Sequence, residues 1–408
     1  MALDFNQTAR QMMAAMDGAT NARRNRRQRF ADTLDRASAI SPAEAADRTA
    51  TSGRRPFVFS RTGPEGILGN WEPQVPPNDW VALSVDGSHI DVDRHLPLRC
   101  HLINLGGCAI TYGKQPSCDL FSEPTLAVDD ANLYLRPDDQ SLEETLIEGR
   151  LLGALRTVRE VERLAEAVDD LTTNAPVLAL LDGTLAFWDM QRGSYPGYVV
   201  DHLINQRLRP ALARLQVASH PDRPVAVAAY TSKPQTAEVA GAVRVALCGS
   251  SDAECTRRCS ARRSDLMQCD GAAGFDDREL FEALLEPGHR SPLYQSGRLA
   301  SRFAVGLALG EEWSHFYYLH SGTEIGRVEI PAWVSADPRL LALSHAMLAK
   351  QCELGFGYPV VISEAHEQAV VTGRDREEFR KLALMLMEQN ALPTPESAKT
   401  ISKRLPWV

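Results

Sequence analysis

The sequence predicts an α/β fold, a mixed sheet with helices packed on both of its faces. Two short apolar runs, 81–85 and 177–181, are of strand length, and each ends in Asp-Gly (Asp86-Gly87-Ser88 and Asp182-Gly183-Thr184). Runs of this kind read as strands buried on both sides, the pattern of a sheet sandwiched between helices. Between them, residues 141–170 carry apolar side chains at helical spacing, among them Leu151, Leu155, Val158, Val161 and Val168. After them, strand-like and helix-like segments alternate, which is the order of an α/β sheet.

Residues 1–50 are rich in Ala and Arg with few breakers and predict one or two helices, an N-terminal helical segment. Residues 51–79 hold Pro56, Gly63, Pro64, Gly66, Gly69, Pro73, Pro76 and Pro77, and read as a linker or extended wrap. Strands are expected at 80–85, 98–105 and 108–112, an antiparallel meander with a turn at Gly106-Gly107, and a further strand at 126–135. The long helix 141–170 is stopped by Asn174-Ala175-Pro176. Strand 177–181 should then run parallel to the first. Helix 198–216, strand 224–230 and helix 234–247 lead into a cysteine-containing insertion at 248–270. Strands 302–309, 313–320 and 324–330 follow, then helices 337–354, 363–369 and 374–389, and a basic tail at 393–408. This succession is the skeleton of a ribonuclease H-like fold, here covering 80–392.

Among 408 residues, 44% are hydrophobic and 24% charged, the composition of a globular chain with a sizeable core. No apolar run approaches the ~18 residues of a membrane span. Met1-Ala2-Leu3-Asp4-Phe5 lacks a signal-peptide pattern, so a cytoplasmic protein is expected. The net charge of −9 argues against a basic coat but leaves room for a local basic groove beside acidic ligands. Arg23, Arg24, Arg26, Arg27 and Arg29 cluster near the start, as on a solvated helix face.

The chemistry centres on Asp86 and Asp182. A carboxylate ending a central strand stands at the rim of the sheet, half out of the core, and two of them suit a hard divalent cation, Mg²⁺ or Mn²⁺. Phosphodiester hydrolysis by two metals about 3.5–4 Å apart uses such carboxylates as bridges. A third should come from the long helix, which offers Glu144, Glu148, Glu160, Glu162 and Glu166. At 100° per residue Glu162 lies nearest the apolar stripe and Glu160 roughly opposite, so periodicity prefers Glu162, although a ligand often sits on a helix flank. Further on, Ser363 reads as an N-cap that places Glu364, His366 and Glu367 in a first helical turn. His366 there could hold a metal, position water or contact phosphate. Tyr230 ends a strand near the same rim, and Lys233 just after it could contact phosphate.

Several of these segments resemble the NurA nucleases, the DNA-end-processing partners of the HerA ATPase. The resemblance rests on Val85-Asp86-Gly87-Ser88, Leu181-Asp182-Gly183-Thr184-Leu185, Ala229-Tyr230-Thr231-Ser232-Lys233, Arg327-Val328-Glu329-Ile330-Pro331, and Gly357-Tyr358-Pro359 followed by Glu364-Ala365-His366. The ending Ser397-Ala398-Lys399 with Ser402-Lys403-Arg404 is also similar. It implies a ribonuclease H-like fold and Mn²⁺-dependent (or Mg²⁺-dependent) cleavage of single-stranded and double-stranded DNA ends. It also implies 5′-to-3′ resection in double-strand break repair, a homodimer and a hexameric HerA-type ATPase partner. By position it makes Asp86 and Asp182 metal-binding aspartates and His366 a late site residue. Its Arg-x-x-x-Glu pattern points to Arg156 and Glu160, against the periodicity; Glu162 remains the fallback. The alternatives are an inactive ribonuclease H-like scaffold that binds DNA or an ATPase, and a different metal-dependent hydrolase such as a phosphatase. Retention of both aspartates argues against the first, and the lack of a His-rich ligand set or a phosphate-cradling Gly loop against the second. No Walker motif is present, so any ATP use falls to a partner.

Four of the eight cysteines crowd into Cys248-x6-Cys255-x3-Cys259-x9-Cys269. Four thiolates could form a structural Zn²⁺ site or hold an iron–sulfur cluster, although the spacing is not that of a zinc ribbon. Arg257, Arg258, Arg262 and Arg263 interleave with them, which would make a basic knob suited to DNA or a partner surface. Lys399, Lys403 and Arg404 form a basic tail that could follow a DNA backbone.

Overall fold

The computed structural model describes residues 4–52, 55, 57–92, 98–137, 143–185, 195–248, 254–255, 257, 268–297 and 315–390. Two helices open it, α1 (Phe5–Ser38) and α2 (Pro42–Thr51), the second capped by the Ser41 side chain. Strand β1 (Arg61–Thr62) precedes a long meander, β2 (Trp80–Ile90), β3 (His101–Tyr112) and β4 (Ser117–Ala127). A one-turn helix α3 (Asp130–Leu133) and the short pair β5 (Tyr134–Leu135) and β6 (Thr145–Leu146) lead to α4 (Gly149–Asp170). Next come β7 (Val177–Asp182), a helix in three pieces, and β8 (Val225–Thr231). The pieces are α5 (Gly197–Val200), a π-helical turn over Asp201–Leu208, and α6 (Arg209–Ala218). Then follow α7 (Glu238–Leu247), α8 (Asp277–Glu282), β9 (Tyr294–Gln295), β10 (His315–His320) and β11 (Ile325–Ile330). The last helices are α9 (Ala332–Ala336), α10 (Pro338–Leu354), α11 (Val360–Ala369) and α12 (Gly373–Gln389).

Among the described residues one nine-stranded sheet runs in the order β1-β9-β10-β11-β8-β7-β2-β3-β4. β2, β7 and β8 are mutually parallel, and the ladders on either side of them are antiparallel. Such a mixed sheet flanked by helices is a ribonuclease H-like α/β fold. The central parallel strands β7 and β8 are apolar up to their last residues because both faces are covered: Val177 to Leu180 and Val225 to Tyr230 have no accessible surface. Helix α4 packs on one face of β2, and α11 packs on β2 and β3. Side chains alternate along a strand, so Gly87 faces α4 while Asp86 and Ser88 face α11. Among the described residues no helix is long and apolar enough to cross a membrane.

Four details depart from the sequence expectations. Gly106-Gly107 is not a turn. β3 runs straight through it, because the missing side chains admit α11 on one face and the Phe121 ring on the other. The expected second and third strands, 98–105 and 108–112, are the single strand β3, so the third strand of the meander is Ser117–Ala127, and most of the further strand expected at 126–135 is instead the helix α3 and β5. The long helix begins at Gly149, so Glu144 lies outside it and Glu148 is its N-cap. Ser363 is not an N-cap: α11 starts three residues earlier, behind Pro359, and His366 falls in its last turn. Pro359 fixes the entry, and the Gln351 side chain accepts from the Val361 N–H. The π turn has a local cause. Pro210 carries no N–H and its ring would collide with the carbonyl four residues back. The Arg209 N–H instead reaches Ile204 O, five residues back. The expected strand at 302–309 lies outside the described residues.

Candidate active site

The site forms at the rim where β7 and β8 end beside β2; Asp86 does not end its strand, as the sequence suggested, because β2 runs on to Ile90 paired with β3. Asp86 pairs with Gly106 across the β2–β3 ladder. A Cβ on Gly106 would stand 2.1 Å from Ala369 N and 2.4 Å from Gln368 C, so only glycine lets α11 settle on this strand. The end of α11 is then tied down from below: Ser88 Oγ and Asn104 Nδ2 both donate to Ala369 O, at 2.6 and 2.9 Å. This docking brings His366 Nδ1 to 2.7 Å from Asp86 Oδ2. The imidazole is open to solvent while the aspartate is mostly covered. The other Asp86 oxygen accepts from the N–H of Gly87.

Asp182 closes β7 in the register that continues Ser84↔Leu180, which sets it beside Asp86 on the α11 face. Burial raises its pKa and so does the charge of Asp86, while a hydrogen bond from Tyr358 and the nearness of His366 work the other way. That hydrogen bond runs from Tyr358 Oη to Asp182 Oδ1 at 3.2 Å. Tyr230 pairs with Asp182 across β7–β8 but turns its hydroxyl away, donating to Glu324. Its fully buried ring packs edge-on against Tyr358, 5.6 Å between centroids. Tyr230 therefore supports the site rather than lining it. Tyr358 touches an acidic residue, a contact that its place in Gly357-Tyr358-Pro359 did not disclose. The available signal was the short spacing to His366, on the helix that begins two residues after Tyr358.

Glu160 reaches the rim from the opposite face. Gly87 makes the room: a Cβ there would lie 2.7 Å from Glu160 Oε1 and 2.9 Å from Arg156 Cγ. Glu160 is 5% exposed, and burial pushes its pKa up to about 8, with Asp86 and Asp182 adding to the rise and Arg156 opposing it. Arg156 Nε stands 3.0 Å from Glu160 Oε1, but that oxygen makes no hydrogen bond. Glu162 points elsewhere. It forms a two-pronged pair with Arg207, 2.8 and 2.5 Å, on the π-helical turn. The helical spacing ranked the two glutamates by the apolar stripe of α4, which could not register a pocket opened by a glycine on another strand.

The donor set suits a hard cation. Three carboxylates repel one another at one rim, one keeps a buried oxygen without a hydrogen bond, and all offer oxygen. A cavity of about 10 Å³, room for one water-sized particle, opens between Glu160 and Asp182 against Thr157, Leu181 and Leu208. As they stand, no three His, Cys, Asp or Glu side chains among the described residues enclose a metal ion. Each carboxylate instead has its own neighbour, Asp86 with His366, Glu160 with Arg156 and Asp182 with Tyr358.

Lys233 is exposed at the same rim with a left-handed backbone, φ 44°. Of the crowded cysteines, Cys248 is half-buried, and Cys255 and Cys269 are buried. Cys259 lies outside the described residues, as do Arg258, Arg262, Arg263, Lys399, Lys403 and Arg404. Arg257 is exposed. In the N-terminal cluster, Arg26 is not merely solvated: it pairs with Glu279 and covers the Phe275 ring.

No curated protein matches the chain. The family model described as the NurA domain matches residues 81–371, from the first residues of β2 to just past the end of α11. That span contains Asp86, Glu160, Asp182, Tyr358 and His366, and it covers well over half of the sequence. The chain belongs to the NurA family, nucleases of DNA end processing.

Proposed function

We propose that this protein hydrolyses phosphodiester bonds at DNA ends with the help of Mn²⁺ or Mg²⁺ held by Asp86, Glu160 and Asp182. The observation that carries the reading is the convergence of these carboxylates at one rim, with Glu160 buried behind Gly87 and its pKa raised by that burial and, after it, by its two acidic neighbours. Divalent cations bound there would supply an acidified water and offset charge on the leaving oxygen.

The chain's own groups do the rest. Asp86 stands within β2 and Asp182 at the end of β7, both on rigid strands, so their oxygens need little reorganisation. His366 leans on Asp86 with Nε2 free to face solvent, where it can orient water or a phosphate oxygen and carry a proton. Tyr358 fixes the rotamer of Asp182 through its hydroxyl. Lys233 supplies a cation toward the DNA backbone at the same rim. By family likeness the action is 5′-to-3′ resection in break repair, by a homodimer working with a HerA-type hexameric ATPase.

The test is cleavage of end-labelled linear DNA in Mn²⁺, wild type beside Asp86→Ala and Asp182→Ala, with circular dichroism to verify folding. Activity that EDTA abolishes and both variants lack supports the proposal. Folded variants that cut like wild type, or a wild type inert even with the ATPase added, would leave a DNA-binding or ATPase-binding scaffold as the better reading.

A further inference from the structure

Among the described residues, only two other than glycine adopt a left-handed backbone, Lys233 and Phe356. Lys233 comes two residues after β8 ends, and Phe356 two residues before Tyr358, which touches Asp182. Such conformations are strained for residues with a side chain, and strain of this kind gathers at functional sites. Phe356 is the more unusual of the two. Its φ is 54°, and its side chain is 92% exposed, more than any other large apolar residue described.

The turn that carries it is rigid. Helix α10 ends in a Schellman motif: the Gly357 N–H donates to Cys352 O at 2.7 Å and the Phe356 N–H to Glu353 O. Phe356 occupies the position where glycine is usual. The flanking positions are both glycines with no room for a side chain. A Cβ on Gly355 would lie 1.9 Å from Tyr358 O, and one on Gly357 would lie 1.9 Å from Thr323 Oγ1 in the β10–β11 turn. Two residues on, Tyr358 touches Asp182. A planar apolar ring is thus held out into solvent on a fixed turn, two residues before the tyrosine that touches Asp182.

We propose that Phe356 binds substrate by stacking on a nucleobase at the DNA end, steadying the terminal nucleotides while Lys233 faces the phosphates. This rests on the nuclease reading above. Every base has a π-face, so a phenyl ring serves all sequences, and stacking of this kind is worth roughly a tenfold or larger change per base.

The experiment compares the full-length wild type with Phe356→Gly and Phe356→Trp. Glycine fits the left-handed turn, so that variant keeps the fold, and tryptophan keeps a stacking surface. Each is assayed in Mn²⁺ on linear duplexes with intact ends and on duplexes lacking the base at one or other of the two end-most positions. The proposal expects Phe356→Gly to lose about tenfold in kcat/KM on intact ends, while the tryptophan variant stays close to wild type. It also expects base removal to lower wild-type cleavage by a similar factor and to leave the glycine variant nearly unchanged. Equal activity of wild type and Phe356→Gly on intact ends would overturn it, as would losses from the two changes that simply multiply. In both cases an active wild type leaves the nuclease reading standing. A wild type that cleaves no DNA would remove that reading, and this one with it.

Discussion

Asp86 faces Gly106 across the β2–β3 ladder, and the bare backbone of Gly106 is what lets α11 bring His366 onto Asp86. The aspartate and the glycine therefore act as one feature, although neither belongs to a common motif. Replacing Gly106 with Ala would press a methyl into the Ala369 and Gln368 backbone. Helix α11 would have to lift, at a cost of about 1–3 kcal/mol. Gly106→Ala should lower the denaturant midpoint and cut cleavage together. Gly87→Ala meets the flexible side chains of Glu160 and Arg156 instead, so it should spare most of the stability and still impair cleavage. Equal stability losses in the two variants would contradict this assignment of contacts.

His366 adds little to folding, because its side chain is more than half exposed. His366→Ala should leave the thermal midpoint within a degree or two and reduce cleavage by about 10²-fold or more, the usual range for a positioned acid or base. A variant that cuts at the wild-type rate would make the Asp86 contact a surface ion pair of no catalytic consequence.

The two glutamates of α4 separate cleanly by substitution. Glu160 is buried with its charge resisted by its surroundings, so Glu160→Gln should abolish cleavage while holding or raising stability in the absence of metal. Glu162 pairs with Arg207 at partial exposure. Glu162→Gln should cost under about 1 kcal/mol and leave cleavage intact. Activity assays and urea melts in EDTA would decide between them, and the reverse pattern would restore the glutamate that helical spacing prefers.

The parallel centre of the sheet was legible because its strands are buried on both faces and so read as unbroken apolar runs. Asp86 and Asp182 stood out for the same reason, each ending such a run. What the sequence hid depends on missing atoms. Gly106-Gly107 looks like a turn and is a packing surface, since a glycine pair has the same letters in either role. Glu160 looked outward because the space that receives it belongs to Gly87, more than seventy residues earlier in the chain. Tyr230 and Tyr358 could not be ranked, because which of two neighbouring rings meets Asp182 depends on which face each hydroxyl turns to.

His345 offers a test of the fold away from the candidate site. It is buried in α10 and donates from Nε2 to Gly288 O at 2.8 Å, as a neutral ring. Burial lowers its pKa to about 4, and Arg290 and His289 add to the effect. The unfolded chain takes up the proton near the ordinary value of 6.5, so acid favours unfolding across the window from about 6.5 down to 4. At pH 5 the loss is about 2 kcal/mol relative to pH 7. His345→Gln keeps a donor for Gly288 and removes the titration. Urea melts at both pH values should therefore show wild type losing about 2 kcal/mol more than the variant on acidification. The carboxylates titrate in both proteins and cancel in this difference. Equal losses would mean that the ring is already accessible to protons in the folded state, and that α10 does not seal the carbonyl of Gly288 from water.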